Sequence, residues 1–396
     1  MARHDTCGHA VGDALLVSVA NRLRGLTRTD DHIARFGGDE FVILQRPVRS
    51  KPEAASFAGR VLSALSKAFE IDGHHLVVGA SIGIALAPQD GNEVTILLRH
   101  ADMALYLAKT KRDGSLRFFE PQMAAALVAR RKIETDLRAA FCGGALEVDF
   151  QPIVSLKSMR PTSCEALIRW PSADDGMKSP GQFIPVAEEM GIISEIGAWV
   201  LMQACRECSK WPAGVRVAVN LSPVQFRQGN LHIVIADALA AAGLPPSRLE
   251  VEITESVLHR DFPSTRAALC QLRAMGIGIS LDDFGTGYSG LNYLHALPLD
   301  KIKIDRSFSQ SLLTDSRSLK LLRGIAKLSS DLGITVAVKG IETQEQADLI
   351  AGEVDIDEVQ GFLFSSAVSA PRVQELLAQY RGPISLSSAS GQRTIN

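Results

Sequence analysis

Nine residues of this 396-residue chain carry groups that could share one chemical task, and each falls at or near the end of a short β-branched run. They are Glu165 in CEALIRW, Asn220 in VRVAVNLS, Glu252 and Glu255 in LEVEITE, Asp282 and Asp283 in ISLDDFG, Lys303 in KIKID, Lys339 in ITVAVKGIE and Gln360 in VQGF. So many carboxylates are costly to gather unless cations neutralise them, because each like charge opposes its neighbour's ionisation. Two hard divalent ions would do so. Glu165, Asn220, Glu252 and Asp282 could give oxygens to one ion, with Asp282 bridging to a second that Asp283 also holds. All-oxygen donors without His or Cys suit Mg²⁺ or Mn²⁺ better than Zn²⁺. Such a pair serves phosphoryl chemistry, polarising a phosphodiester and activating a water. The competing reading makes these residues N-caps of the helices that follow, for which Asp and Asn are favoured. It covers one or two positions, but Glu165 and Glu252 lie inside apolar runs and cap poorly.

The elements that must position these groups follow from the same runs. From Leu146 to about Tyr380 strand and helix patterns alternate seven or eight times, over close to the ~250 residues of a (β/α)₈ barrel, whose strand ends converge on one rim. The expected fold class is α/β: a modified TIM-type barrel preceded by a smaller α/β unit. The first unit, residues 1–119, reads as helix GDALLVSVANRLRGL, hairpin ARFGGDEFVIL, a helix from Ala54 to Phe69, strand LVVGASIGIAL and helix ILLRHADMALYLAKTKR. Residues 120–139 read as a linker helix, since Pro121 to Phe141 keeps helical spacing without a turn signal. Its run Ala129-Arg130-Arg131-Lys132 is a solvated face. The barrel unit spans 140–382, and the Ser-rich tail 383–396 is expected to be disordered.

Composition limits what else the chain can be. At 46% hydrophobic, 22% charged and a formal charge of −2, it has no basic surface for a nucleic-acid polymer. Its apolar stretches fall short of the ~18–20 residues that span a bilayer, and its start lacks a signal-peptide core, so a cytoplasmic protein is expected. Of six cysteines, only Cys205 and Cys208 form a CxxC. The pair sits in a helical pattern with no second pair to complete a metal site, so it reads as helix packing.

The segments FQPIVSL, CEALIRW, GQFIPVAEE, VNLSPVQF, LEVEITES, LDDFGTGYSGL, KIKIDRSF and QGFLF resemble, in order, the EAL family of cyclic di-GMP phosphodiesterases. The resemblance implies a modified TIM barrel that hydrolyses cyclic di-GMP to pGpG with Mg²⁺ or Mn²⁺. It implies metal ligands at Glu165, Asn220, Glu252, Asp282 and Asp283, a catalytic lysine at Lys303 and a water-orienting glutamine at Gln360. Contacts to the dinucleotide are implied for Gln151, Glu165, Arg169, Asp305 and Gly361, and Glu255 matches a glutamate that fixes the loop from Phe284 to Leu291. A homodimer through this domain is a further implication.

The first unit resembles the GGDEF family of diguanylate cyclases through ARFGGDEF, ADMALYLAK, Gly8-His9, Gly12-Asp13 and Lys109. Gly37, Gly38, Asp39 and Glu40 would be the remnant of a phosphate-cradling hairpin and metal site; a bare GGDE also suits a tight turn. Arg28 and Asp31 match the family's RxxD inhibitory site for cyclic di-GMP, although an ordinary surface ion pair explains such a motif equally well. The family's opening helix and first strand, with the aspartate that shares metal with Glu40, have no counterpart here, so no diguanylate cyclase activity is expected.

At the barrel rim the EAL pattern has AEGVE where this chain has Val338-Lys339-Gly340-Ile341-Glu342. Lysine thus stands where the family places its general-base glutamate, which also serves the second metal. Losing general-base catalysis costs about 10²- to 10⁴-fold in rate. An ammonium about 4 Å from a divalent ion, at an effective dielectric near 20, is repelled by about 8 kcal/mol before relaxation. The expectation is that Lys339 pairs with Asp283 in place of the second cation, leaving one ion and slow cleavage. The alternative has Lys339 in solvent and a neighbouring acid as base. A smaller departure is Ala367, where the family has proline. Two functions stay open: a weakened phosphodiesterase, and an inactive cyclic di-GMP receptor acting through a partner along the linker helix.

Overall fold

The structure, a computed structural model, describes residues 9–110, 116–172, 176–257, 262–285 and 292–380. The His4–Gly8 motif residues, loop positions 286–291 and the expected disordered tail lie outside the described residues. Two compact units divide at Lys132 and Ile133, inside the helix Gln122–Cys142.

The first unit contains helices His9–Arg24, Lys51–Leu65 and Val94–Thr110 and three two-stranded sheets. Strands His32–Gly37 and Glu40–Leu44 form the expected hairpin. Its turn is possible because Gly38 takes a φ of 47°, in the left-handed region that glycine enters at little cost. Two expectations need correction. The second helix ends at Leu65, and Phe69 instead opens the strand Phe69–Ile71, hairpinned with His74–Leu76. Phe69 is buried there under the Arg22 guanidinium, 3.4 Å above its ring, which is worth more than extending an amphipathic helix. The single strand expected over Leu76–Leu86 is interrupted: Leu76 belongs to that hairpin, and only Ile82–Ile84 pairs again, parallel to Leu116–Phe118.

In the second unit eight strands close into a barrel. They are β1 (Glu147–Ser155), β2 (Pro161–Ser172), β3 (Arg216–Asn220), β4 (Leu249–Thr254), β5 (Gly278–Phe284), β6 (Lys301–Ile304), β7 (Thr335–Lys339) and β8 (Glu358–Gln360). Parallel pairing runs from β2 through β8, and the ring closes through β1, antiparallel to both β2 and β8. The short runs form strands because their β-branched residues are buried on both faces. Helices between them lay an apolar stripe on the barrel and are punctuated locally. Thr343 accepts a hydrogen bond from the Gln346 N–H in a capping box, and Gly191 and Gly243 end their helices in left-handed conformation. Cys205 and Cys208 lie fully buried on the helix Ile193–Cys208, and burial pushes both thiols up to about 12, as packing residues. No helix of the described residues is long and apolar enough to cross a membrane.

Strand periodicity sorts the barrel interior into layers. Glu165, Glu252, Lys303 and Gln360 come from the even-numbered strands. Two residues earlier on the same strands stand Ser163, Glu250, Lys301 and Glu358. Lys301 on β6 reaches Glu250 on β4 at 2.9 Å and Glu358 on β8 at 2.8 Å, contacts between non-adjacent strands that only the interior allows. Arg216 stands 3.6 Å from Glu250 and 3.8 Å from Glu358 at the barrel floor.

Gly361 fixes the end of β8. A Cβ there would lie 2.0 Å from the Ile341 carbonyl oxygen, and Ile341 itself binds the Gln360 carbonyl and the Leu363 N–H. Gly361→Ala is expected to destabilise the barrel by about 1–3 kcal/mol through this backbone clash, read as a shift of the urea midpoint.

Candidate functional site

The functional side chains converge around Lys303. Its ammonium, 0% exposed, lies 2.7 Å from Glu165 Oε2, 2.6 Å from Glu252 Oε1 and 3.9 Å from Asp282 Oδ1. Asn220 donates its amide to Glu165 Oε1 at 2.8 Å, and Gln360 donates to Glu165 Oε2 at 2.8 Å. Gln360 also donates to Gln151 Oε1 at 3.2 Å, while Gln151 donates to the Ser365 carbonyl. Glu165 is not at a strand end as expected: β2 continues seven residues beyond it, to Ser172, because its outer half pairs with β1 and with the short strand Gly176–Lys178.

Asp282 and Asp283 are consecutive, and in a regular strand they would point to opposite faces. A register shift between Leu281 and Phe284 against β6, together with a left-handed φ of 52° at Asp283, turns both toward one partner. That partner is Lys339. Its Nζ lies 3.0 Å from each Asp282 oxygen and 2.7 Å from Asp283 Oδ1. With its side chain only 22% exposed, Lys339 does not point into solvent.

Four carboxylates, Glu165, Glu252, Asp282 and Asp283, thus face two ammoniums. Burial works against the charge on Lys303, but Asp282, Glu165 and Glu252 outweigh it and hold this lysine well above its usual value. Lys339 is raised in the same way, chiefly by Asp282. Burial also opposes ionisation of Glu165, yet Lys303 and Lys339 keep it far below the ordinary carboxylate range. Glu252 and Asp282 go the other way, raised by burial and by their acidic neighbours, led for both by Glu165. Buried acids and ammoniums that perturb one another this closely mark a candidate functional site.

Glu165, Glu252 and Asp282 present oxygens within 4.8 Å of one another. Glu252 Oε2, fully buried, has no hydrogen-bond partner. With the neighbouring Asn220 amide, this all-oxygen set fits one hard divalent ion. Between Asp282 and Asp283 the Lys339 ammonium stands where a second ion would need their oxygens.

The other predicted residues sit as follows. Glu255 accepts the Gly285 N–H at 3.1 Å, at the start of the loop whose next residues lie outside the described ones. Arg169 binds Asp149 at 3.0 Å. Asp305 caps the helix Arg306–Gln310 by accepting the Ser307 N–H. In the first unit Gly37, Gly38, Asp39 and Glu40 form the hairpin turn, with Glu40 paired to Lys109 at 3.1 Å. Arg28 and Asp31 do not pair through their side chains. Asp31 accepts the backbone N–H groups of Arg28 and Arg46, and the Arg28 guanidinium faces Glu53 at 3.7 Å. Sequence reasoning missed the lower interior layer, although the doublets Glu250/Glu252 and Lys301/Lys303 spell out its two-residue spacing. Lys303→Met should leave Glu165 and Glu252 buried without their counter-charge and cost about 3–5 kcal/mol of stability, read by urea unfolding.

Residues 134–367 match the EAL domain family, and residues 2–115 match the family described as diguanylate cyclase, GGDEF domain. The chain is 40% identical over 381 residues to the bifunctional diguanylate cyclase/cyclic di-GMP phosphodiesterase MucR of Pseudomonas aeruginosa, covering 95% of this chain and 55% of MucR. It is 36% identical over 382 residues to the cyclic di-GMP phosphodiesterase NbdA of the same organism, covering 96% of this chain and 48% of NbdA. The chain spans about half the length of the curated relatives it matches. Among solved structures, the MucR phosphodiesterase in complex with c-di-GMP superposes with a TM-score of 0.59 at 39% identity, over 61% of this chain and 99% of that one. The EAL enzyme Bd1971, with cAMP and cyclic di-GMP bound, gives a TM-score of 0.62 at 30% identity, over 73% of this chain and 77% of that one. An antiparallel-closed barrel, an acidic interior layer around a buried lysine and these matches place the chain in the EAL domain family.

Proposed function

We propose that this chain is a cyclic di-GMP signalling protein whose barrel binds the dinucleotide at the acidic rim and hydrolyses it to pGpG slowly. The observation that carries the reading is the Lys339 ammonium on Asp282 and Asp283. Family membership and the ligands named for relatives support the choice of cyclic di-GMP. Gln151, Arg169, Asp305 and Gly361 are the residues we assign to the dinucleotide. The domains proposed are a GGDEF-like unit over 1–119, a linker helix over 120–139, the EAL domain over 140–382 and a tail over 383–396. Arg28 and Asp31 remain a proposed inhibitory site, Gly37, Gly38, Asp39 and Glu40 a proposed GGDEF phosphate-binding hairpin, and a homodimer through the EAL domain is carried over from the family. The protein is assigned to the cytoplasm.

The mechanism follows from which groups can still move protons. Mg²⁺ or Mn²⁺, held by Glu165, Asn220, Glu252 and Asp282, would polarise the phosphodiester. Lys303, held charged against burial by Asp282, Glu165 and Glu252, stabilises negative charge that develops on the substrate. Gln360, anchored to Glu165 and Gln151, orients the attacking water. Among the described residues position 339 supplies no base: an ammonium only donates, and the acids beside it already accept from it. The site's formal charge agrees, since four carboxylates against two ammoniums leave a deficit that one divalent ion balances. Glutamate at 339 would enlarge the deficit to that of two ions. The same geometry favours a second reading, in which turnover is lost entirely and the barrel is a receptor that passes occupancy to a partner.

Lys339→Glu is expected to raise pGpG formation about 10²- to 10⁴-fold in Mg²⁺ or Mn²⁺ while leaving cyclic di-GMP affinity within a few-fold. Equal and rapid hydrolysis by both proteins would refute the missing base, and failure of both to bind would refute the receptor reading as well. Titration with Mn²⁺ alone, followed by electron paramagnetic resonance, should give a mononuclear spectrum for the chain and a spin-coupled pair for the variant.

A further inference from the structure

Five buried polar atoms without a hydrogen-bond partner belong to barrel-strand residues: Ser163 Oγ, Glu250 Oε1, Ser280 Oγ, Glu252 Oε2 and Gln360 Oε1. Glu358 Oε2 is taken by the Lys301 ammonium at 2.8 Å. These atoms occupy successive interior layers. Between the upper and lower charged layers lie Ala218, in register with Glu165 and Glu250, Ser280, in register with Glu252 and Lys301, and Ala337, in register with Lys303 and Glu358. These three are fully buried and small, while β1 adds the fully buried Ile153, two residues beyond Gln151 and opposite Ser163; barrels of this type fill such layers with bulky branched side chains throughout. Small side chains beside unsatisfied polar atoms are the setting in which buried water is bound.

We propose that this interior is a water-binding shaft, in which ordered waters bridge Ser163, Glu250 and Ser280 to Glu252 and connect the barrel floor with the acidic layer. The floor end opens at Arg216, whose side chain is 34% exposed. Water fits where an ion does not, because the lower layer is already balanced, with Glu250 and Glu358 against Lys301 and Arg216. The shaft gives the acidic layer a hydrogen-bonded connection to solvent from below, separate from the rim. It depends on the barrel interior alone and stands whether or not the dinucleotide reading holds.

The decisive observation is a crystal structure of the unaltered chain at a resolution that resolves ordered water. Waters within hydrogen-bond reach of Ser163 Oγ, Ser280 Oγ and Glu250 Oε1 are expected. A dry interior in which these atoms bond to one another overturns the shaft. In solution, ¹⁷O relaxation dispersion should count long-lived internal waters in the unaltered chain and fewer in Ser163→Ala/Ser280→Val, with cooperative melting retained. An unchanged count in the folded variant overturns the proposal; should the variant fail to fold, absence of long-lived waters in the unaltered chain does so.

Discussion

A lysine ammonium held at the centre of a closed barrel by two glutamates is the interaction on which the rest of this domain depends. A buried charge is tolerable only when its partners are close and fixed, since removing either side leaves an unpaired ion in a poor solvent. Lys303 meets that condition through Glu165 on β2 and Glu252 on β4, strands that are not its neighbours. The pairing therefore ties one side of the barrel to the other across its axis. Lys301 repeats the device one layer down with Glu250 and Glu358. Polar cross-links do in this interior what interdigitated aliphatic side chains do in most barrels.

A third ammonium changes the character of the rim. Lys339 needs nothing from outside the chain to satisfy Asp282 and Asp283, so that half of the site is electrostatically complete as folded. The other half is not: Glu252 keeps an unpartnered oxygen and is held toward its neutral form by burial and Glu165. The asymmetry separates two tasks that carboxylate-rich sites usually combine. Glu165, Glu252 and Asp282 keep an all-oxygen cluster with an unpartnered carboxylate oxygen, whereas the ammonium at position 339 can only donate.

Much of this was legible in the sequence because buried parallel strands advertise themselves as short β-branched runs and because their polar ends stand out against them. The reversed direction of β1 was not legible, since a period of two reads the same from either end. Nor was the turning of Asp282 and Asp283 onto one partner, which depends on a register shift against β6 and a strained backbone that no residue type announces. The Arg28 and Asp31 motif shows the opposite failure. Its spacing is right, but Asp31 is consumed by backbone N–H groups and Glu53 competes for the guanidinium. The helix misjudged at Phe69 reflects a tertiary contact overriding local pattern, with the Arg22 guanidinium over the ring.

The antiparallel course of β1 also fixes where the chain enters. In an all-parallel barrel the first strand would begin at the floor, but here Glu147 pairs with Arg169, beyond Glu165, so the polypeptide arrives at the acidic end. Four residues earlier the helix Gln122–Cys142 has just ended. Gln151, which holds Gln360, lies five positions into the barrel from Leu146. A slip of one residue in this strand would turn Gln151 out of the interior and release the glutamine it steadies. The doorway of the domain and the handle of the Gln360 side chain are thus the same short piece of backbone.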